Sequence, residues 1–168
     1  MTAINDKSWG FSLFCDDIRS ELGGKISVMG IYQSDMILPE SVVFPITLPK
    51  LCILIKYYEL ENAFTDDIYV NIFFPGDSKE APSVSLLSGR KDSTPSPLKY
   101  KLEEDQQRLF MLTLPFFLAP FQIKQEGFLK VRVHCGGVIT NSGSLMIRKA
   151  KASENNLLFP VEHRPKTV

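Results

Sequence analysis

The sequence predicts an all-β protein: an antiparallel β-sandwich of about eight to nine strands, immunoglobulin-like or C2-like in topology. Short segments rich in β-branched and aromatic residues recur at a spacing of roughly 8 to 15 residues. Gly, Pro, Asn or Asp stand at nearly every junction between them, and no stretch carries the apolar period of a helix longer than a few turns. A parallel α/β sheet needs helical crossovers of about a dozen residues, so parallel sheets are excluded.

In chain order, residues 11–17 (FSLFCDD) and 25–33 (KISVMGIYQ) read as a hairpin, with Gly23 and Gly24 supplying the positive φ of its turn. A short helix capped by Asp17 and ended by Gly23 is the competing reading. Gly30 marks a bulge or a close backbone approach. The continuous apolar run 51–58 (LCILIKYY) reads as a strand covered on both faces, and 68–74 (IYVNIFF) as its antiparallel partner. Residues 77–97, with three prolines and six serines, form a mobile loop holding a short strand at 84–87. Segments 99–102 and 109–114 are further strands. In 128–135 (FLKVRVHC), Leu129, Val131, Val133 and Cys135 alternate with Lys130, Arg132 and His134, the pattern of a half-exposed strand. Gly136 and Gly137 turn the chain into strands at 138–141 and 144–148. The organisation is one domain over 1–149 and a tail over 150–168.

Composition narrows the function. The chain has 168 residues, 44% of them apolar, and nineteen basic residues balance nineteen acidic ones to give formal net charge +0. No global field favours a polyanion, so nucleic acid is not an expected partner. The amino terminus lacks the apolar stretch of a signal peptide. The longest apolar run, 109–123, is broken by Pro115 and Pro120 and falls short of the ~20 residues that span a bilayer, so no membrane insertion is expected. Cys15, Cys52 and Cys135, odd in number and set among strand formers, read as buried thiols of a reducing, cytoplasmic setting.

Asp16, Asp17 and Glu21 place three carboxylates close together, the residue type for general acid/base work or for a hard metal ion. Consecutive strand residues face opposite ways, however, and Arg19 shares the face of Asp17. The expected arrangement is structural: ion pairs of Asp17 with Arg19 and of Glu21 with Lys25 along the hairpin. Carboxylate neighbours raise rather than lower the pKa of Cys15, the opposite of what a nucleophile needs. His134 and Cys135 point apart, and His163 stands alone in the tail, so neither a Cys/His nucleophile nor a zinc site is spaced correctly. Gly23-Gly24-Lys25 lacks the Ser or Thr and the following helix of a phosphate loop. No metal or cofactor is indicated.

Within residues 14–32 (FCDDIRSELGGKISVMGIY) and 44–53 (FPITLPKLCI), the residues Cys15, Asp16, Asp17, Arg19, Glu21, Gly24, Lys25, Gly30, Tyr32, Phe44, Pro45, Leu48, Pro49, Lys50 and Leu51 form a pattern. It resembles the opening of an uncharacterised family of small bacterial and phage-encoded proteins. The resemblance covers about the first third of the chain specifically. It implies a β-sandwich in a prokaryotic setting, or a virion for a phage-encoded member, and brings no reaction with it.

Two functions follow as expectations. The first is a non-catalytic binding or structural module that presents a surface or an edge strand to a protein partner or to another copy of itself. The alternative is a metal-assisted hydrolase or lyase in which Asp16, Asp17 and Glu21 converge through a bulge. In the tail, Leu157, Leu158 and Phe159 form an apolar patch expected to be ordered and buried, against the parent domain or against a neighbour.

Overall fold

The computed structural model describes residues 8–60, 67–87, 109–151 and 154. Eleven strands form among them: β1 (Ser8–Ser20), β2 (Ile26–Ile31), β3 (Asp35–Leu38), β4 (Ile46–Leu48), β5 (Leu51–Leu60), β6 (Tyr69–Phe73), β7 (Val84–Leu87), β8 (Leu109–Leu118), β9 (Phe121–Ile123), β10 (Gly127–Cys135) and β11 (Val138–Lys149). The architecture is all-β. One sheet has four strands in the order β2-β1-β5-β8, a second has five in the order β3-β11-β10-β6-β7, and β4 and β9 pair as a small ribbon. Among the described residues no helix is long and apolar enough to cross a membrane.

One apolar cluster joins the two large sheets. Leu51, Ile53, Ile55 and Tyr57 of β5 meet Leu129, Val131 and Val133 of β10, Leu145 and Ile147 of β11, and Val70 and Ile72 of β6. The small ribbon adds Phe121 and Ile123 to the same cluster, with Ile46 and Leu48 packed against it. The period-two pattern of residues 128–135 is realised as expected, its apolar members buried and its polar members outward.

The first hairpin forms rather than a helix. Its strands pair from Cys15 opposite Ile31 to Ser20 opposite Ile26, and the Glu21 amide donates to the Lys25 carbonyl at 2.8 Å. Gly23 and Gly24 hold φ of 78° and 74° in that turn.

Four expectations are corrected. The described residues alone form eleven strands where eight to nine are expected of the chain: β3, β4 and β9 are too short for periodicity to reveal, while 138–141 and 144–148 are one strand interrupted by a bulge opposite Val131 and Arg132. Residues 51–58 and 68–74 do not pair. β5 lies between β1 and β8, and β6 lies between β10 and β7, so the chain crosses between sheets there. Parallel pairing is present after all, because β3 runs parallel to β11 from Asp35 beside Met146 to Leu38 beside Lys149. This needs no helical crossover, since strands β4 to β10, members of both sheets among them, lie between the two in sequence. Finally, β5 is covered on both faces only over its first half: on its outer side Cys52 and Leu54 are buried, whereas Lys56 and Tyr58 are half-buried.

The closest approach between the sheets is at β1 and β11. The β1 residues facing inward are Ser8, Gly10 and Ser12, and the Ser8 hydroxyl lies 3.2 Å from that of Thr140. A Cβ built on Gly10 would stand 2.6 Å from Ser142 Oγ and 2.9 Å from the Lys56 carbonyl oxygen, and one on Gly143 would stand 3.3 Å from Ser12 Cβ. Only small residues fit this seam. Gly10→Ala is therefore expected to cost about 1 to 3 kcal/mol through overpacking. Gly24→Ala, where a Cβ meets nothing within 4 Å, strains the backbone alone and is expected to cost about 1 kcal/mol. Urea unfolding of both variants checks the order, and an unchanged midpoint for Gly10→Ala would exclude so close a seam.

Candidate functional site

The carboxylates of the first hairpin are held apart. Asp16 accepts a hydrogen bond of 2.7 Å from the Tyr32 hydroxyl. Across the strand pair, Gly30 has φ of 67°, and a Cβ there would land on the Asp16 carboxylate. Glycine at position 30 thus serves both conformation and space. Asp17 receives Lys50 Nζ at 2.6 Å and Arg19 Nε at 3.0 Å. The Lys50 ammonium, and then the Arg19 guanidinium, hold its pKa down to about 2. Glu21 accepts from Ser27 Oγ at 2.9 Å, while Lys25 contributes its backbone carbonyl to the turn. The Asp17–Arg19 pair forms, whereas the Glu21–Lys25 ion pair is replaced by a hydroxyl. Lys25 stands opposite Glu21 at the end of the ladder, but the Glu21 carboxylate turns back to the Ser27 hydroxyl two residues further along β2.

Asp16, Asp17 and Glu21 therefore each have a separate partner. No three His, Cys, Asp or Glu side chains among the described residues come together as metal ligands. What the motif residues build is an interlocked hairpin base, which Lys50 ties to the start of β5.

Cys15 and Cys52 stand opposite each other on β1 and β5 with no exposed surface. Each thiol points at a backbone carbonyl, Cys15 at that of Cys52 and Cys52 at that of Asp16. Burial, then the neighbouring Cys52 and the two aspartates, push the Cys15 thiol up to about 11, so it stays protonated and inert. His134 and Cys135 occupy opposite faces of β10. Burial and the nearby Arg132 move the His134 pKa downward.

The larger surface feature lies on the outer face of the four-stranded sheet. Strand β1 reads SWGFSLF, small and large residues alternating, and the structure turns the small ones inward. Trp9 and Phe11 therefore project outward, Trp9 stacked on Tyr58 at 5.3 Å between ring centroids and Phe11 at 6.4 Å from the same ring. Ile31 of β2, opposite Cys15, and Met111 and Phe117 of β8, opposite Tyr58 and Cys52, extend the surface. These five side chains have exposures from 43% (Phe11) to 57% (Met111). Beneath them Cys15, Cys52 and Leu54 form a second, small buried cluster. Lys56 is the cation in the middle, beside Phe11 and Thr113 along the ladder.

Sequence reasoning passed over this face because alternation normally sends large apolar residues inward. The available signal was that Ser8, Gly10 and Ser12 cannot fill a core alone. The tail residues Leu157, Leu158, Phe159 and His163 lie outside the described residues, as do 88–97 of the expected loop and the expected strand at 99–102.

No family model, curated protein or solved structure matches the chain.

The Asp17 cluster generates a pH prediction. A carboxyl whose folded pKa is depressed contributes stability above its unfolded value, near 3.8, and loses it as pH falls toward about 2. Asp17→Asn is expected to lower Tm slightly at pH 7 and to flatten the fall of Tm between about pH 4 and 2. Thermal melts of both proteins across that range test it, and parallel curves would show that Lys50 and Arg19 do not stabilise the carboxylate.

Proposed function

We propose that the protein is a non-catalytic protein-binding module, carried on an immunoglobulin-like sandwich and encoded in a bacterial or phage genome. The observation that carries this reading is the outward-facing aromatic and thioether surface of the four-stranded sheet. Trp9, Phe11, Ile31, Met111 and Phe117 are exposed apolar side chains on this one sheet face, and apolar exposure of this kind marks an interaction site. Four strands about 4.8 Å apart and about ten residues long give roughly 500 Å² of sheet per partner. Counted over both sides this is about 1,000 Å², the scale of a specific, non-obligate contact.

The partner is a different protein presenting an apolar surface with a carboxylate opposite Lys56. A two-fold dimer through this face would bring Lys56 toward its own copy near the axis, where like charges repel. The immunoglobulin-like form is supported over the C2-like one by neighbour relations: β1, β5 and β8 stand as A, B and E, and β6, β10 and β11 as C, F and G.

Trp9 is the only tryptophan in the chain, so its fluorescence reports directly on this face. A photoreactive phenylalanine derivative at position 111 or 117, introduced in the native host, is expected to capture the same protein, and one at position 37 to capture none of it. Adding that protein should shift Trp9 emission to the blue, and Met111→Lys should weaken binding by about 2 kcal/mol or more without changing Tm. Capture of no protein from either position, or only of further copies of this chain, overturns the reading.

A further inference from the structure

The balanced net charge conceals a local arrangement on the opposite side of the molecule. Outward from β10 point Phe128, Lys130, Arg132 and His134. Their cross-strand neighbours are Phe73, Asn71 and Tyr69 on β6 and Ser144, Asn141 and Ile139 on β11. Lys130 Nζ lies 5.8 Å from the Phe128 ring, and the Arg132 guanidinium stacks 4.7 Å from the Phe73 ring while donating to the Lys79 carbonyl at 3.3 Å. Neither cation touches a carboxylate among the described residues. The acids nearby are engaged or peripheral: Asp77 accepts the Phe74 and Ser83 amides, Asp35 pairs with Arg148, and Asp67 stands at the far end beside Tyr69 and His134.

The bulge in β11 shapes this surface. Ser142 is buried against Gly10, and position 143 is directed at Ser12, so two consecutive residues turn toward the interior. The outer surface then lacks a side chain between Asn141 and Ser144. A hollow of about 340 Å³ opens there, flanked by Lys130 and Arg132 and bordered by the Asn141 and Ser144 side chains. Smaller and comparable hollows continue along β10, one of about 100 Å³ beside Phe128 and one of about 350 Å³ beside Tyr69. Phe128 and Tyr69, 50% and 43% exposed, thus stand on either side of the cationic pair.

We propose that the outer face of the five-stranded sheet binds single-stranded nucleic acid, with a backbone phosphate in the bulge hollow between Lys130 and Arg132 and flanking bases stacked on Phe128 and Tyr69. A cationic track with exposed rings is the arrangement that holds unpaired bases without reading their sequence. Cations alone would suit an acidic peptide equally well, and the two rings decide between them. The open sheet presents no helix to a duplex groove. The zero net charge does not oppose this, because the field at a strand depends on the nearby charges and is screened beyond about 8 Å.

Fluorescence anisotropy with labelled oligothymidylate and oligouridylate of about twelve nucleotides tests the proposal and separates DNA from RNA. Binding of either supports it. Affinity is expected to fall from about 50 to 200 mM salt with a shallow log-log slope of about −1 to −2, as two or three cations dictate. Phe128→Ala and Tyr69→Ala should each weaken binding about tenfold with the slope unchanged. Lys130→Glu, at an exposed site that leaves the Arg132–Phe73 stack in place, should weaken it at least as much and flatten the slope. Phe11→Ser, on the opposite sheet, should leave oligonucleotide binding unchanged, so failure of the protein-binding reading and failure of this one are distinguishable. Absence of binding to both oligonucleotides at the lower salt overturns the proposal. So do full binding by Phe128→Ala and Tyr69→Ala proteins of unaltered Tm, and equal competition by oligoglutamate of the same length.

Discussion

The approach of β1 to β11 governs much of this structure. Two strands from different sheets come close enough that Gly10 has no room for a β-carbon and Gly143 only tight room, and the residues between them are serines. Sheets packed through large side chains lie about 10 Å apart. Here the separation is set by small residues at one edge, while β5 and β10 keep large ones between them, so the space between the sheets narrows toward the β1/β11 side.

That constraint reverses the usual orientation of β1. If the small residues of the alternating run SWGFSLF must face β11, the tryptophan and the first phenylalanine have only solvent or a partner to face. The bulge at Ser142 and Gly143 arises at the same seam, since both positions are turned toward β1. One packing solution thereby produces both surface features: an aromatic face on one sheet and a basic, hollowed face on the other. They differ in what they can hold. The first offers apolar area with a single central cation, and the second offers separated cations, amide and hydroxyl groups, and two isolated rings.

Much of the fold was legible because its strongest strands are long and locally patterned. The continuous run LCILIKYY, the strict alternation of FLKVRVHC and the paired glycines after Glu21 each encode their element in a few neighbouring residues. Pairing was less legible. Nothing local to residues 51–58 and 68–74 tells whether two successive strands share a sheet or face each other across a core, and β3 acquires its strand form only from hydrogen bonding to β11 more than a hundred residues away. At the hairpin, alternation sufficed to separate Asp16 from Asp17, but not to find Lys50, which arrives from the next sheet strand. The apolar face escaped because the burial rule was applied to side-chain size, whereas the decisive quantity was the space available opposite each strand.

The parallel pairing of β3 with β11 has a consequence for synthesis. Arg148 holds Asp35 across 113 positions, and the strand that lines the seam with β1 is the last of the described strands to be made. A nascent chain that has emerged only as far as β10 can pair β1 with β2 and β5, yet has nothing to cover the inner face of Ser8, Gly10 and Ser12 or the free side of β3. Closure of the sheets then waits for the synthesis of β11, since contacts this distant in sequence form only after the intervening chain has ordered. Until that moment the growing chain exposes both sides of its amino-terminal hairpin to the chaperones around it.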